Sequence, residues 1–334
     1  MFVLFPKALL RRRKVVLSKS RKRLKLIYNP EAGLAAFRTR LDMAIRILQS
    51  GGWQVLTYRT EGKAELTSTE ARVAIDEGCS AVVAVGGDGT LHQVMNGLVS
   101  LTKEGRKAPT LGIIPAGTAN DLASYLSIPK DIENTCNIIV KGKKKQIDAG
   151  FLAGRFFLNV ASGGLLTDVS HKVDQAVKQE LGKFAYYLKA LEQLPDFRPF
   201  PLQVQLPGGE KIYEGDTLLF LVLNSAGAGS FPQLAPKAQI DDALLDLVVF
   251  RSCSISEFVG LFLSVLQGEH VRSPLVTYHQ AQRYILQGPD DMETDLDGEI
   301  GPALPWDVQV LPSALEVFVP ELSGKKKLRL RSKN

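Results

Sequence analysis

Residues 86–90 read Gly-Gly-Asp-Gly-Thr, one carboxylate set among three glycines. Glycines let backbone N–H groups approach phosphate oxygens, and the N-terminus of a following helix adds partial positive charge. The carboxylate of Asp88 repels phosphate directly, so beside phosphates it works through a divalent cation or a bound water. Two further turns carry similar chemistry: Pro115-Ala116-Gly117-Thr118-Ala119-Asn120-Asp121 and Asn29-Pro30-Glu31-Ala32-Gly33. A single turn of this kind is as readily a plain strand-to-helix connection. Three of them argue for a nucleotide site, provided that the chain brings them to one rim.

The elements that would do so follow from hydrophobic patterning. Short apolar runs at 24–28, 53–57, 81–85 and 111–114 read as strands. The valine-rich run 81–85 has the character of a strand buried on both faces. Helices fall near 38–49, 66–77, 91–99 and 132–140; Leu91, Val94, Met95 and Leu98 take up helical spacing just after the glycines. This alternation predicts an α/β domain over 24–145, a mostly parallel sheet flanked by helices. In such a sheet, turns at the C-terminal ends of strands share one crevice. From 146 to 320 the character changes. Strand-like runs at 156–161, 202–206, 217–223, 245–250 and 315–319 are punctuated by turns such as Leu206-Pro207-Gly208-Gly209. They predict a β-rich, sandwich-like second domain, interrupted by helical stretches near 166–194 and 255–266.

The 334 residues suit two domains with a core each. Cys79, Cys136 and Cys253 lie far apart, which fits a reducing cytosol and argues against structural zinc. His92, His171, His270 and His279 show no metal-ligand spacing and read as surface or packing residues. Charge is placed unevenly. Residues 1–25 hold ten Lys or Arg and no acid, and residues 325–334 hold six and no acid. Setting these aside leaves 25 basic against 35 acidic residues, so the middle is acidic and the tails carry the whole net charge of +6. Such extensions, 1–23 and 321–334, suit anionic lipid headgroups, nucleic acid or plain solubility. Residues 1–10 are apolar except Lys7 and include Pro6. They are too short to span a bilayer, and a basic cluster follows them, the reverse of a secretory signal. A transit peptide and a shallow interfacial anchor both stay open. The expected location is the cytoplasm, with peripheral contact to a membrane.

The three turns, in this order, resemble the diacylglycerol kinase catalytic domain, in its branch of bacterial lipid kinases related to sphingosine and ceramide kinases and, more distantly, to NAD kinase. The resemblance continues through Asn159-Val160-Ala161-Ser162-Gly163-Gly164, Asn224, the stretch from Ala235 to Asp246, and Asp297-Gly298-Glu299, covering about residues 24–320. It implies a nucleotide domain like those of NAD kinase and phosphofructokinase, a β-rich lipid domain, and an active site in the cleft between. It implies ATP as phosphate donor, bound by Asn29, Pro30, Glu31, Ala32, Gly33, Thr60, Gly87, Asp88, Gly89, Thr90, Leu91, His92, Gln93 and Thr118. It gives Glu299 the role of proton acceptor, with Gly298 letting the chain turn sharply, and Asp88 a catalytic part. It also implies a Mg²⁺ site, structural in kind, from the Asp242 carboxylate and the carbonyls of Gln239 and Leu244. A membrane lipid is the implied acceptor and nucleic acid is not expected.

Two positions depart from the family's pattern. Gln93 stands where Glu is usual, keeping a hydrogen-bonding oxygen and losing charge. Ala243 stands where Gly is usual, and a positive φ there would strain it. An NAD kinase-like enzyme and a weakly active, membrane-recruited nucleotide- or lipid-binding regulator are the competing readings. The absence of GxxxxGK[ST] leaves the three turns as the phosphate cradle. Diacylglycerol, a sphingoid base, phosphatidylglycerol and a polyprenol all present a hydroxyl beside apolar chains, and composition does not choose among them.

Overall fold

The computed structural model describes residues 22–30, 40–164, 199–229, 231 and 233–321. The stretch expected to be helical at 166–194, and nearly all of both basic tails, lie outside the described residues.

The first half alternates as its patterning requires: β1 (Lys22–Tyr28), α1 (Leu41–Ser50), β2 (Trp53–Arg59), α2 (Ala64–Val73), β3 (Cys79–Gly86), α3 (Asp88–Lys103), β4 (Thr110–Pro115), α4 (Asp121–Tyr125) and α5 (Ile132–Lys141). The four strands pair in parallel in the order β4-β3-β1-β2. From Ala81 onward β3 is apolar and buried because both its faces are covered. Val82 and Ala84 join Ala71 of α2 and Val94, Met95 and Leu98 of α3 in one core. Ala81, Val83 and Val85 join Ala44 and Leu48 of α1 and Ile132, Cys136 and Ile139 of α5 in another. α2 and α3 approach so closely at Gly97 that a Cβ there would lie 2.1 Å from the Ser68 carbonyl oxygen. α2 ends at Val73, short of the expected 77, and a turn carries the chain into β3.

Register sets the rim. Tyr28 pairs with both Arg59 and Val85, and Gly86 pairs with Pro115, so the turns after β1, β2, β3 and β4 leave the sheet at one level. The chain moves outward from β1 to β2 and the opposite way from β3 to β4. The turns after β1 and β3 therefore flank a topological switch point, the usual place for a ligand crevice.

The second half adds β5 (Lys144–Leu152), β6 (Arg155–Phe157), β7 (Val160–Gly164), β8 (Phe200–Gln205), β9 (Lys211–Leu223), β10 (Leu245–Arg251), α6 (Ile255–Gln267), β11 (Val276–Ala281), β12 (Arg283–Gln287), β13 (Thr294–Leu296), β14 (Glu299–Ile300) and β15 (Trp306–Phe318). The run expected as one strand at 156–161 is two, broken between Phe157 and Val160. β9 is buried on both faces: Phe220 and Val222 pack with Phe157, Tyr284 and Trp306, while Leu219 and Leu221 pack with Leu261 and Val265 of α6. β15 is much longer than expected and joins the two halves. It runs antiparallel to β5 and β12, and its end pairs in parallel with β4 at Val317 and Leu111. The sheet is thus continuous from β14 to β2, mixed, and mostly antiparallel beyond β4. The boundary expected at 145/146 falls inside β5.

Asp148 of β5, 3% exposed, braces this junction. Its Oδ1 accepts the Ser313 N–H (2.7 Å), at the irregularity in β15, and its Oδ2 accepts the Ala243 N–H (2.7 Å). Its backbone N–H donates to Ile240 (2.7 Å), and Asn224 Nδ2 donates to its carbonyl (3.1 Å). Ala243 takes up φ +60°, the left-handed conformation in which a Cβ is strained. That conformation costs a non-glycine residue about 1–2 kcal/mol, against roughly 0.5–1 kcal/mol of extra unfolded-chain entropy for glycine. Ala243→Gly should therefore stabilise the fold by about 0.5–1 kcal/mol and raise the melting temperature by roughly 1–4 °C. Thermal unfolding by calorimetry checks this; a lowered melting temperature would mean that the methyl group contributes packing that outweighs its strain.

Candidate active site

The glycine turn and the second turn meet backbone to backbone. Gly87 caps α3 in an extended conformation, and a Cβ on Gly117 would lie 2.4 Å from the Gly87 Cα. The Ala116 N–H donates to the Gly86 carbonyl at 2.8 Å. Asp88 then fastens the contact: its Oδ2 accepts the Asn120 N–H and its Oδ1 the Asp121 N–H, each at 2.8 Å. Burial pushes the Asp88 carboxyl up from its ordinary range, the two amides pull it down, and the charge of Asp297 adds to the rise. Asp88 is thus a clasp between turns as well as an acid beside the cradle. Asn120, at φ +52°, closes its own ring by accepting the Gly117 N–H (2.9 Å) and donating Nδ2 to the Gly117 carbonyl (2.5 Å). Asp121 reaches the second half, where its Oδ2 accepts the Gly229 N–H at 2.8 Å.

The other expected nucleotide contacts sort by exposure. Asn29 donates its N–H to the Val85 carbonyl (3.0 Å), Pro30 is buried, and Glu31, Ala32 and Gly33 lie outside the described residues. Thr60 is buried after β2, with its N–H on the Tyr28 carbonyl at 2.9 Å. Thr90 fills the space under Gly86, where a Cβ would come within 2.5 Å of its hydroxyl, and Leu91 belongs to the core. The Leu91 N–H donates to the Gly87 carbonyl at 3.1 Å, so of these two only Thr90 keeps a free first-turn amide. Gly89 and Thr118 are exposed on the rim and Gln93 is half-buried.

Glu299 enters from the other half. β13 and β14 form a hairpin in which Leu296 pairs with Glu299, and Asp297 (φ +53°) and Gly298 (φ +90°) supply the two left-handed residues of its turn. Asp297 has a side chain 4% exposed. It accepts the N–H groups of Leu158 (2.7 Å), Asn159 (2.9 Å) and Val160 (2.9 Å), the three consecutive amides where β6 breaks from β7. Its Oδ2 also lies 3.2 Å from His92 Nδ1. Glu299 Oε2 lies 3.0 Å from Arg155 Nη2 and 3.7 Å from His92 Nε2. Arg155 Nη1 donates to the Ile300 carbonyl at 2.6 Å. The proposed base therefore stands beside α3, one helical turn beyond Asp88. His92, expected as an ATP contact, instead turns its side chain into the second half. Burial opposes charging this imidazole, and Asp297 and Glu299 outweigh burial, so its pKa is raised. Sequence reasoning missed Arg155, Asp148 and this role of His92; the one local sign was the four-residue step from Asp88 to His92, which puts both on one helix face.

A second acidic corner surrounds Asp242. Burial pushes its carboxyl up, and the charges of Asp148 and Asp241 add to the rise, while its Oδ1 accepts the Leu244 N–H at 3.0 Å. Asp246 is pushed up to about 6, first by burial and then by Asp242. Asp241 alone among the four has a close cation, Lys145 Nζ at 2.9 Å. Excess carboxylate charge beside main-chain oxygens fits a hard divalent cation. Among the described residues no three acidic, His or Cys side chains form a metal cage. A cation here would therefore draw on main-chain oxygens, as the expected set of Gln239, Asp242 and Leu244 requires.

Residues 23–152 match the diacylglycerol kinase catalytic domain, and residues 159–319 match the YegS C-terminal NAD kinase beta sandwich-like domain. A diacylglycerol kinase of Bacillus subtilis (strain 168) is 34% identical over 301 residues, covering 90% of this chain and 97% of that protein. A diacylglycerol kinase of Staphylococcus saprophyticus is 34% identical over 300 residues, covering 90% and 96%. The crystal structure of a diacylglycerol kinase from Bacillus anthracis str. Sterne superposes with a TM-score of 0.73 at 27% identity, covering 90% of this chain and 97% of that one. With both halves matched in order, the relatives alike over 90% of the chain, and two glycine turns and the Asp-Gly-Glu hairpin meeting at the start of α3, the chain belongs to the diacylglycerol kinase catalytic-domain family.

Proposed function

We propose that the protein is a lipid kinase that uses ATP and Mg²⁺ to phosphorylate the hydroxyl of a membrane lipid of the diacylglycerol class. The observation that carries this reading is the placement of Glu299 beside α3, the helix that starts at the glycine turn. Phosphoryl transfer needs a cradle for the phosphates, charge to offset theirs, and a group to take the acceptor's proton. The free amides of the glycine turn and first turn of α3, residues 87–90, serve with the rim at Asn29, Pro30, Thr60 and Thr118 as the cradle, and residues 31–33 belong to the same set by family likeness. Asp88 keeps the second turn against the first, which holds the cradle's shape. Glu299, steadied by Arg155, receives the hydroxyl proton as charge develops on oxygen. Gln239, Asp242 and Leu244 are the residues for a structural Mg²⁺, which would neutralise the acidic corner braced by Asp148.

No helix among the described residues is long and apolar enough to cross a membrane. Access to a bilayer substrate then falls to the surface, and the basic tails are the natural means, each basic residue near an anionic surface being worth roughly 1 kcal/mol.

Incubation with labelled ATP and either diacylglycerol micelles or NAD separates a lipid kinase from an NAD kinase-like enzyme; label should appear in the lipid. In the same assay Glu299→Gln should lower kcat by about 10²–10⁴ with little change in ATP affinity. A variant keeping more than about a tenth of kcat, with chemistry rate-limiting, would exclude Glu299 as the base. Asp297→Asn tests a brace instead of a base. It leaves one oxygen for three amides, so it should cost about 1–3 kcal/mol in urea unfolding, whereas Glu299→Gln should unfold like wild type. Deleting residues 1–21 and 325–334 should weaken binding to anionic vesicles at low salt and leave micellar turnover intact. Equal vesicle binding by trimmed and full-length protein would contradict the role of the tails.

A further inference from the structure

His92 is clasped from outside its own helix. Nδ1 lies 3.2 Å from Asp297 Oδ2, Nε2 lies 3.7 Å from Glu299 Oε2, and the side chain is 5% exposed. The charged groups around it come from three elements. Asp297 and Glu299 face it from the β13–β14 hairpin and Arg155 from β6. Asp88, on its own helix, acts on the same cluster through Asp297. The residue is also fixed through the backbone, since Asn96 Nδ2 donates to the His92 carbonyl (2.9 Å) and Asn96 Oδ1 accepts the Phe156 N–H (3.1 Å).

We propose that His92 serves phosphoryl transfer through Glu299, as a positioning residue for the proton: it takes over the proton that Glu299 removes from the lipid hydroxyl. The inference rests on Glu299 being the base. Asp297 spends its acceptor capacity on donors, so the contact at Nδ1 is an N–H donating to Oδ2. That tautomer leaves the Nε2 lone pair turned toward Glu299. A gap of 3.7 Å is within the looseness that such pairs show before substrate binds, and the Glu299 side chain is 35% exposed and has room to rotate. In the transfer the hydroxyl oxygen bonds to the γ-phosphorus of ATP. The bond from that phosphorus to the ADP oxygen breaks, and ADP leaves with the electron pair. The hydroxyl proton passes to the Glu299 carboxylate and from there to Nε2, and the imidazolium is held by Asp297. The carboxylate is restored and one proton resides on His92, to be released to solvent before the next turnover.

The sign of the pH dependence follows. Asp297 and Glu299 hold the imidazole pKa above its ordinary 6.5 in spite of burial. Protonated in advance, His92 cannot accept from Glu299 and pairs with it instead, so turnover falls as pH drops through that raised pKa. Stability runs the other way. The contribution of the ion pair is complete below the unfolded value and is lost as pH rises through the folded one.

The test uses the full-length protein with ATP and diacylglycerol micelles. The wild-type kcat profile should show an acid limb with an apparent pKa above 6.5. His92→Gln should lower the plateau about tenfold, move the limb down by about one pH unit or more, and leave KM for ATP within about twofold. In a second arm, ¹⁵N imidazole NMR follows His92 in wild type and in Glu299→Gln; its pKa should fall when Glu299 loses its charge. Superimposable pH profiles, a loss of kcat with the limb unmoved, or identical His92 titrations in the two proteins would each overturn the proposal. If His92→Gln does not fold, the NMR arm decides. If neither lipid nor NAD is phosphorylated, the kinase reading fails, while the NMR arm still accepts or rejects the coupling of His92 to Glu299.

Discussion

Three consecutive backbone amides, those of Leu158, Asn159 and Val160, point at one carboxylate, and the rest of the site depends on that convergence. Amides aimed at one spot form a concave anion site that water or an acid must fill. Asp297 fills it from 137 residues away in sequence. The amides turn inward because the chain breaks between β6 and β7, and the break sends β7 on to pair with β13 and β9. β13 leads through the turn to Glu299, and Arg155, at the start of β6, meets Glu299 on the way back. The position of Glu299 is therefore a consequence of where Asp297 is held.

The same device recurs twice. Asp88 accepts two amides and joins the turns after β3 and β4; Asp148 accepts two amides and joins β5, the acidic turn and β15. A buried carboxylate is costly unless its oxygens are satisfied, and two or three N–H groups satisfy them without introducing a second charge. Removing an acid of this kind exposes several orphaned donors at once, which makes such residues brittle to substitution. The arrangement also explains why the two halves act as one site. Asp297 is contributed by the second half and touches α3; Asp121 is contributed by the first and binds Gly229; β15 carries the sheet across.

The first half was legible because its information is local. An apolar run, a glycine turn and a helical period occupy neighbouring residues in the units around β1, β3 and β4, and those central strands are buried along most of their length. Position 243 was legible for a similar reason, since a backbone conformation belongs to one residue. The second half was harder to read. β11 reads Val-Thr-Tyr-His-Gln-Ala and is half-buried along most of its length, so no apolar run marks it. β5 opens with Lys-Lys-Gln, so a charged, polar start hides the strand. The stretch 290–297 has the composition of a solvated acidic loop, and composition cannot tell a hydrated acid from Asp297, whose partners lie far along the chain. His92 shows the same limit: its ring meets a residue 205 positions away.

Charge balance gives the site its remaining logic. Asp88, Asp297 and Glu299 bring three carboxylates to one end of α3, against Arg155 and a titrating His92. A nucleoside triphosphate would add several negative charges to a region already acidic. Backbone amides and a helix terminus offset only part of that, each worth a fraction of a unit charge. Burial of Asp297 behind three amides moves one carboxylate out of reach, and the commitment of both Asp88 oxygens to α4 quiets a second. What remains is Glu299, the one acid of the three whose known contacts are the side chains of Arg155 and His92 and no backbone amide. A half-exposed carboxylate so placed is open to a hydroxyl and lies near an imidazole that can share its proton, whereas an amide-bound carboxylate does neither.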